Sequence, residues 1–488
     1  MTATWARTKS IDDVLEQGRV EPGGEAEPGR LKRTLGPLGL MGFGIGVVIG
    51  TGIFTLTGVE AKESAGPAVT LSFLLAGVAA ALAALCYAEL SSGVPAAGSA
   101  YTYAYATIGE LAAWIIGWDL LLEFALGAAT VARGWSSYLQ DLFNLPTSLF
   151  GEKAPVNVGA LALVLVLGVV AVVGVKQSSR VTGVLVAVKV AICVFVVVAG
   201  LFYVKGANLH PYVPAARASE AKTGISQPLV QAVFGLDPTA FGIAGVLSAA
   251  AVVFFAYTGF EAVANLGEET RDPGRDLPLG LLGTLGIATV LYIGVSFVVT
   301  GMVDYRQLDV GAPIAKAFDA VGAGWASTLV SIAAVAGLTS VTLVDLVTMP
   351  RIFFAMGRDR LLPPRFAELH PRYGTPVLAT VITTAMVAVL ATFVKLTVLA
   401  DLVSIGTLFA FVVVAIAVPV LRHTRPQLER PFRVPLSPFV PVLSALFCVY
   451  LMMNLSVETW LRFLVWLLLG LVVYVTYGRR NAKLAAAS

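Results

Sequence analysis

The chain contains few cysteines and histidines, and both shortages exclude classes of protein. Its three cysteines, Cys86, Cys193 and Cys448, lie far apart in apolar segments, so neither a disulfide framework nor a cysteine-based metal site is expected. The three histidines fall in loops or at the end of an apolar segment. The sequence also lacks metal-ligand spacing, a phosphate-binding glycine loop and a nucleophile elbow. We therefore expect no metal, no cofactor and no enzymatic activity.

Charged residues are also scarce. They make up 13% of the 488 residues, whereas hydrophobic residues make up 57% and the mean hydropathy is +0.84. A chain of this composition cannot fold around a single core in water, which indicates a polytopic membrane protein. The net charge of +3 is not gathered into a basic patch with interleaved aromatic residues, so nucleic acid is not an expected partner.

Apolar segments long enough to cross a bilayer recur along almost the whole chain. About 20 apolar residues are needed to cross roughly 30 Å of hydrocarbon as a helix. The sequence predicts an all-α polytopic membrane protein with 12 transmembrane helices. The predicted spans are 37–61, 67–93, 109–137, 156–175, 182–204, 241–267, 279–303, 324–356, 376–396, 399–422, 436–455 and 459–478.

The distribution of charge predicts the orientation of these spans. Residues 1–36 are polar and mixed in charge, which predicts a cytoplasmic tail and no cleavable signal peptide. With this tail inside, most of the 33 Lys and Arg residues fall on the inner side of the predicted spans, as the positive-inside rule requires. The expected location is the cell membrane (plasma or inner membrane), with both termini cytoplasmic.

Glycines interrupt the first span in GIGVVIGTGIF, residues 44–54. Unwound backbone at membrane depth survives only where it is buried in protein or lines a polar cavity. Unwinding at Gly50-Thr51-Gly52 would leave free amide groups at the start of a half-helix, where a carboxylate binds favourably. The alternative is close helix packing, because Gly42, Gly46 and Gly50 form a ridge of small residues.

A second glycine-interrupted stretch lies five spans later, at Tyr257-Thr258-Gly259-Phe260. Two broken helices at matching positions of two halves are typical of inverted-repeat transporters that bind substrate near the midplane. The predicted division is a tail at 1–36, a first repeat (spans 1–5) at 37–204, an external linker at 205–240, a second repeat (spans 6–10) at 241–422, and spans 11–12 with a cytoplasmic C-terminal tail at 423–488.

Four longer motifs carry a family resemblance. They are IGTGIF in the first span, AALCYAELSSGVPAAGSAYTY in and after the second, FFAYTGFEAVANLGEETRDPGRDLP in the sixth and MPRIFFAMGRDRLLP after the eighth. Together they resemble the amino acid/polyamine/organocation superfamily, in its cationic amino acid transporter branch, over nearly the whole length. The resemblance implies a LeuT-type fold, with a 5+5 inverted repeat plus two C-terminal helices, and transport by alternating access.

The same resemblance implies how an α-amino acid is bound. Its carboxylate would meet backbone amides of the first break, its ammonium group would meet carbonyl oxygens of both breaks, and one aromatic side chain would act as a gate above it. These contacts would select the amino acid backbone and not the side chain. The implied residues are Thr51, Gly52 and Ile53 for the carboxylate, Val48, Phe255 and Thr258 for the ammonium group, and Phe255 for the gate.

Ionisable side chains within spans are costly in hydrocarbon and are functional candidates by default. In resembling transporters that do not need sodium, a lysine of the fifth span stands where a sodium ion would bridge spans 1, 5 and 8. Lys189 is therefore a candidate for proton coupling, with Glu261 next. The alternative is a permanently charged structural lysine paired with a carboxylate.

Asp345 departs from the pattern of resembling transporters of broad specificity, which tend to have a small or apolar residue at this position of the eighth span. In that fold the position faces the substrate side chain. An aspartate would attract a guanidinium or ammonium group and repel an acidic one, and Glu123 in the third span would add a second carboxylate. The alternative is an internal salt bridge of Asp345 with Arg133 or Lys189. Arg133 lies near the outer end of its span, where it would otherwise extend toward the membrane surface.

These observations predict a secondary active transporter that imports cationic L-amino acids (arginine, lysine or ornithine) together with protons. One alternative is a broad-specificity symporter or exchanger of neutral amino acids with the same fold. An alternative of another class is an amino acid sensor that does not transport. The expected partners are the L-amino acid, the proton and the lipid bilayer, and the sequence does not decide whether a small membrane subunit is also bound.

Overall fold

The computed structural model describes residues 7–8, 34–94, 99–174, 179–219 and 223–483. The predicted N-terminal tail at 1–36 lies almost entirely outside the described residues. The described part of the chain is dominated by helices. They are α1 (Pro37–Val48), α2 (Thr57–Glu60), α3 (Val69–Gly93), α4 (Ser99–Thr107), α5 (Glu110–Phe143), α6 (Val158–Val173), α7 (Ser179–Leu201), α8 (Leu229–Phe234), α9 (Gly242–Val253), α10 (Pro273–Met302), α11 (Pro313–Ala320), α12 (Gly324–Arg358), α13 (Val377–Phe393), α14 (Leu396–Thr424), α15 (Phe439–Met453), α16 (Val457–Val473) and α17 (Arg479–Asn481).

The helices show a multi-pass membrane protein. Among the described residues, eight helical stretches are long and apolar enough to cross a membrane, and α1, α6, α13 and α15 are shorter apolar helices. Together they overlap each of the segments predicted as spans, and the number of 12 membrane crossings stays a prediction. The third runs farther than predicted, because α5 continues to Phe143 and ends there at Asn144, which adopts a left-handed conformation.

The first apolar segment is broken in the middle. α1 ends at Val48, and Ile49 has an extended conformation with ψ of 97°. Helical structure resumes at Thr51 and continues through a π-helical turn (Gly52–Leu56), α2 and a second π-helical turn (Ala61–Ala65). The break therefore comes at residues 49–50, slightly earlier than the predicted Gly50-Thr51-Gly52, because Thr51 already has helical dihedral angles.

The sixth apolar segment is broken in the same way. α9 is followed by a 3₁₀ turn (Phe254–Tyr257), extended Thr258 and then Gly259, whose φ is +97°. Only glycine adopts this conformation without steric cost. The 3₁₀ helix Phe260–Glu269 continues the segment, so this break lies within the predicted stretch.

The two breaks lie against each other. A β-carbon added at Gly52 would lie 2.3 Å from the α-carbon of Ala256, so the backbones of the two broken segments touch at this position. Further packing comes from α5, whose Gly134 lies beside Thr51 and whose Tyr138 hydroxyl donates to the carbonyl oxygen of Phe54 at 2.6 Å. Small residues at these contacts allow helices to approach closely.

The connection between α7 and α9 contains the short helix α8 and two short strands, β1 (Arg217–Ala218) and β2 (Thr239–Ala240). The strands pair antiparallel, with Arg217 opposite Ala240. The predicted linker at 205–240 lies within this connection, and its external location stays a prediction. The inverted repeat and the division of the chain into repeats stay predictions.

Candidate functional site

A cavity lies between the two breaks and is closed on its other sides by α5, α12 and α14. About 40 Å³ of it is open to the centres of water molecules. One water needs about 10–15 Å³ by this measure, so the cavity has room for only a few waters in this conformation. It is lined by Val47, Val48, Gly50, Thr51, Gly52, Glu123, Phe124, Gly127, Val131, Phe255, Thr258, Gly259, Glu261, Val341, Asp345 and Val403.

The cavity brings together most of the residues predicted from the sequence. Seven of the eight predicted substrate-binding residues line it; the eighth, Ile53, does not, and its side chain is fully buried. Glu261 lines the cavity and Lys189 does not. The lining contains three carboxylates and no basic residue, so the chemistry of the cavity favours a positively charged group.

Tyr292 of α10 connects the two breaks, and the sequence analysis did not identify it. Its hydroxyl lies 2.8 Å from the carbonyl oxygen of Val48 and 2.8 Å from that of Ala256. The hydroxyl therefore shares its proton between the end of α1 and the 3₁₀ turn of the sixth segment. The Val48 carbonyl, predicted to bind a substrate ammonium group, already accepts this hydrogen bond and has one lone pair left.

The carbonyl oxygen of Phe255 is also occupied in this conformation. It accepts hydrogen bonds from the amide of Thr258 at 3.2 Å and from the Thr258 hydroxyl at 2.8 Å. Both donors hold the turn that precedes the second break. A substrate ammonium group would therefore share this carbonyl or displace the Thr258 hydroxyl from it.

Glu261 stabilises the second break. Both of its carboxylate oxygens accept a hydrogen bond from the amide of Gly259, at 3.0 and 3.1 Å. The carboxyl group of Glu123, from α5, is close enough to share a hydrogen bond with Glu261. Two acidic side chains in such contact are stable together when one carries a proton, since like charges in a low dielectric repel strongly.

Lys189 of α7 reaches the first broken segment from outside the cavity. Its ammonium group donates to the carbonyl oxygen of Gly46 at 2.6 Å, and its side chain is almost completely buried. Its aliphatic part packs on Gly337 of α12, where an added β-carbon would lie 3.2 Å from Cε. Lys189 of α7 thus lies between α1 and α12, so that it meets the helices of predicted spans 1, 5 and 8.

The carboxylate of Asp345 faces the cavity. Gly127 of α5 lies opposite, where an added β-carbon would be 3.5 Å from Oδ2. Among the described residues, no ion pair within 4.0 Å joins Asp345 to Lys189 or Arg133, although the charge of Lys189 acts on it at longer range. Asp345 is therefore available to a ligand in the cavity.

Arg133 has a different role from both of those considered in the sequence analysis. It does not extend to the membrane surface, because only 1% of the residue is exposed. Its guanidinium group pairs with Glu152 at 3.1 Å and donates to the carbonyl oxygens of Ala391 and Thr392 at the end of α13. Arg133 therefore connects α5 to α13 and to the loop before α6. It does not pair with Asp345.

Asp119 is a further buried acid that the sequence analysis did not select. It lies on α5 four residues before Glu123, is completely buried and does not line the cavity. The available signal was its position as an ionisable residue within a span, four residues from another one.

The helix α11 packs against α2. An added β-carbon at Gly58 would lie 2.3 Å from Pro313, the first residue of α11. Lys316 of this helix pairs with Asp141 of α5 at 2.5 Å. Its hydrogen bond to Asp141 raises the pKa of the Lys316 ammonium group above its ordinary value, so Lys316 stays charged at neutral pH.

Comparisons with known proteins agree with this architecture. A family model described as amino acid permease matches residues 35–476. The chain is 43% identical over 464 residues to the methylthioribose transporter of Bacillus subtilis, covering 93% of this chain and 95% of that protein. It is 40% identical to the branched-chain amino acid permease BcaP of Bacillus subtilis, covering 98% of each. It is 33% identical to the mitochondrial cationic amino acid transporter 3 of Arabidopsis thaliana, covering 92% of this chain and 91% of that protein.

Proposed function

Because the chain belongs to the amino acid permease family, within the amino acid/polyamine/organocation superfamily, we propose that it imports cationic L-amino acids with protons by alternating access. The proposed architecture is the LeuT-type inverted repeat of spans 1–5 and 6–10, with two further spans and both termini on the cytoplasmic side of the cell membrane. The protein is a membrane transporter and not an enzyme.

The observation that carries the proposal is the acidic lining of the cavity. Glu123, Glu261 and Asp345 contribute carboxylates, and Asp345 has no ion pair within 4.0 Å among the described residues. A guanidinium or ammonium group at Asp345 would form a charge-assisted hydrogen bond, which is stronger than a neutral one. Glu123 and Glu261 are already in contact with each other, which leaves Asp345 as the proposed selector of the substrate side chain.

The amino acid backbone would bind at the first break. The first turn of any helix leaves amide groups without partners inside the helix, and these favour an anion. Thr51 and Gly52, at the start of the resumed helix, line the cavity together with Val48 and Phe255. The substrate carboxylate is proposed to bind at the amides and the substrate ammonium group at the carbonyls.

A neutral substrate is the second candidate, and the most similar of the relatives named above favour it. They are named for methylthioribose and for branched-chain amino acids, and neither name refers to a cationic amino acid. In this alternative the carboxylates of the cavity would carry protons and the substrate side chain would pack on Phe124, Val341 and Val403.

Uptake of labelled arginine into proteoliposomes tests the proposal. An inside-alkaline pH gradient should drive its accumulation, and unlabelled lysine and ornithine should compete better than leucine, alanine or methylthioribose. Preferential competition by leucine would support the neutral alternative. Saturable binding without accumulation of any of these compounds would indicate a sensor.

A further inference from the structure

Asp119 is an unusual residue for the interior of a membrane protein. It is completely buried on α5, and neither of its carboxyl oxygens has a hydrogen-bond partner among the residues that the structure describes. The neighbour on α14 is Gly406, where an added β-carbon would lie 2.9 Å from Oδ1. The space beside the carboxyl group is therefore kept free of a side chain on that helix.

An ionised carboxylate without a partner is not stable in such a place. Moving an isolated charge into a medium of low dielectric costs so much that the group takes up a proton instead. In this conformation Asp119 is thus a neutral carboxylic acid, and its hydroxyl has no acceptor. A buried polar group without a partner requires an explanation. One explanation is that the Asp119 carboxyl group meets its hydrogen-bond partner only in another conformation.

The surroundings limit what that partner is. From α14, Asp119 faces the backbone at Gly406, which carries no titratable group. On its own helix the nearest acid is Glu123, and the charges of Asp119 and Glu123 act on each other. Glu123 in turn contacts Glu261 across the cavity. Three acids therefore follow one another from the second break, through the cavity, to the interior of α5.

The order of these three acids gives a direction along α5. Four residues of an α-helix rise about 6 Å, so Asp119 lies about one turn closer than Glu123 to Glu110, where α5 begins. The distribution of Lys and Arg predicts this end of α5 to be cytoplasmic. Asp119 does not line the cavity, so it does not contact the substrate.

We propose that Asp119 is a proton acceptor beyond Glu123: in another conformation the Asp119 carboxyl group releases its own proton toward the cytoplasmic end of α5, and the carboxylate left behind then takes up the proton that the Glu123 carboxyl group releases. This inference rests on the proposed function, because it requires proton-coupled transport. One O–H bond breaks and one forms at each transfer, and no other reactant is needed. Substrate binding and proton release would then use separate groups, with Glu123 between them.

The test compares Asp119→Asn with the parent protein in proteoliposomes. Asparagine has nearly the same shape but cannot carry a proton. Two readouts are needed: exchange of labelled substrate across the membrane without any gradient, and proton entry during net uptake, followed with a pH-sensitive dye inside the vesicles. Labelled arginine, leucine and alanine are run in parallel. Thr383→Val is the control, because Thr383 is another fully buried residue whose hydroxyl has no partner among the described residues, on α13 and away from the cavity.

The expected result is that Asp119→Asn exchanges substrate at the parent's rate but that its substrate-dependent proton entry falls to the level of protein-free vesicles. Thr383→Val should match the parent in both readouts. Proton entry at the parent's rate in Asp119→Asn would overturn the proposal, and so would loss of exchange in a folded variant, since Asp119 would then be structural. Failure of the proposed function is seen separately, in a parent protein that exchanges none of the three amino acids or that shows no substrate-dependent proton entry.

Discussion

At the scale of single residues, Asp345 decides which substrate is proposed. Its carboxylate faces the cavity without an ion pair within 4.0 Å among the described residues. A charge-assisted hydrogen bond is worth about 1.5–3 kcal/mol, which corresponds to about 10- to 150-fold in affinity. We therefore expect Asp345→Ala to weaken the binding of arginine and lysine by about this factor and to change alanine and leucine much less, as measured by competition against a labelled substrate.

Asp345→Asn separates the charge of this residue from its shape, and we expect it to resemble Asp345→Ala. Equal losses for cationic and neutral amino acids in both variants would mean that Asp345 supports the protein in some other way. The proposed cationic selectivity would then be wrong.

Two glycines of the first break allow packing and binding to be distinguished. Gly50 lines the cavity, and an added β-carbon there would be 3.7 Å from Val341, an ordinary contact. At Gly52 the same atom would lie 2.3 Å from the backbone of Ala256. We expect Gly50→Ala to fold and to weaken substrate binding. We expect Gly52→Ala to destabilise the protein by about 1–3 kcal/mol, because overpacking forces the two broken segments apart.

The measurements are the melting temperature in detergent and the substrate affinity of the folded fraction. Unchanged affinity in Gly50→Ala would show that the first break does not bind substrate. Normal stability in Gly52→Ala would show that the two segments separate at little cost.

Lys189 is the residue that the sequence analysis selected for proton coupling. Its ammonium group is held by the Gly46 carbonyl and lies outside the cavity. Lys189→Ala should therefore leave amino acid exchange intact and abolish accumulation driven by a pH gradient, because the positive charge at the Gly46 carbonyl is lost. Accumulation equal to that of the parent would show that Lys189 is structural.

At the scale of the elements, both broken helices were predictable from the sequence, but their connection was not. Glycines in otherwise apolar segments indicated the breaks within a residue or two, because an interrupted helix needs residues that tolerate unusual backbone conformations. The role of Tyr292 was not predictable, since a tyrosine within an apolar span gives no signal of which carbonyl groups its hydroxyl meets. Likewise, the sequence placed Arg133 near a membrane surface, whereas Glu152 and the end of α13 surround it.

Tyr292→Phe should uncouple the two breaks. The variant removes one hydroxyl and leaves the Val48 and Ala256 carbonyls with one partner fewer, at a cost of about 1–3 kcal/mol. We expect faster hydrogen exchange of backbone amides at residues 49–53 and 255–259, together with a lower melting temperature. Tyr474→Phe is a matched control, because the buried Tyr474 hydroxyl also donates one hydrogen bond, to the carboxyl group of Glu110 at 2.9 Å, at the beginning of α5 and away from the breaks.

The prediction fails if Tyr474→Phe and Tyr292→Phe raise exchange at the breaks to the same extent. The hydroxyl of Tyr292 would then contribute only general stability.

At the scale of the whole molecule, the membrane-spanning architecture follows from composition and periodicity, which is why the predicted spans and the observed helices coincide so widely. The length of a helix differs from the length of its predicted span where local backbone geometry sets the helix end. For example, α5 continues to Phe143 and ends at Asn144, which has a left-handed conformation. The shape and lining of the cavity could not be predicted from the sequence, because the lining residues come from five separate segments of the chain. Spacing in the sequence does not tell which faces of those segments meet.

The three carboxylates and the missing basic residue in the cavity lining have an electrical consequence. If the carboxylates keep the same protonation states when the empty carrier returns, the positive charge of a bound arginine is a net charge moved across the membrane. A potential of 100 mV, negative inside, then contributes about 2.3 kcal/mol for each charge moved, which corresponds to about a 50-fold concentration ratio. Uptake of arginine would draw an inward current even without a pH gradient, and leucine uptake would draw only the current of its protons.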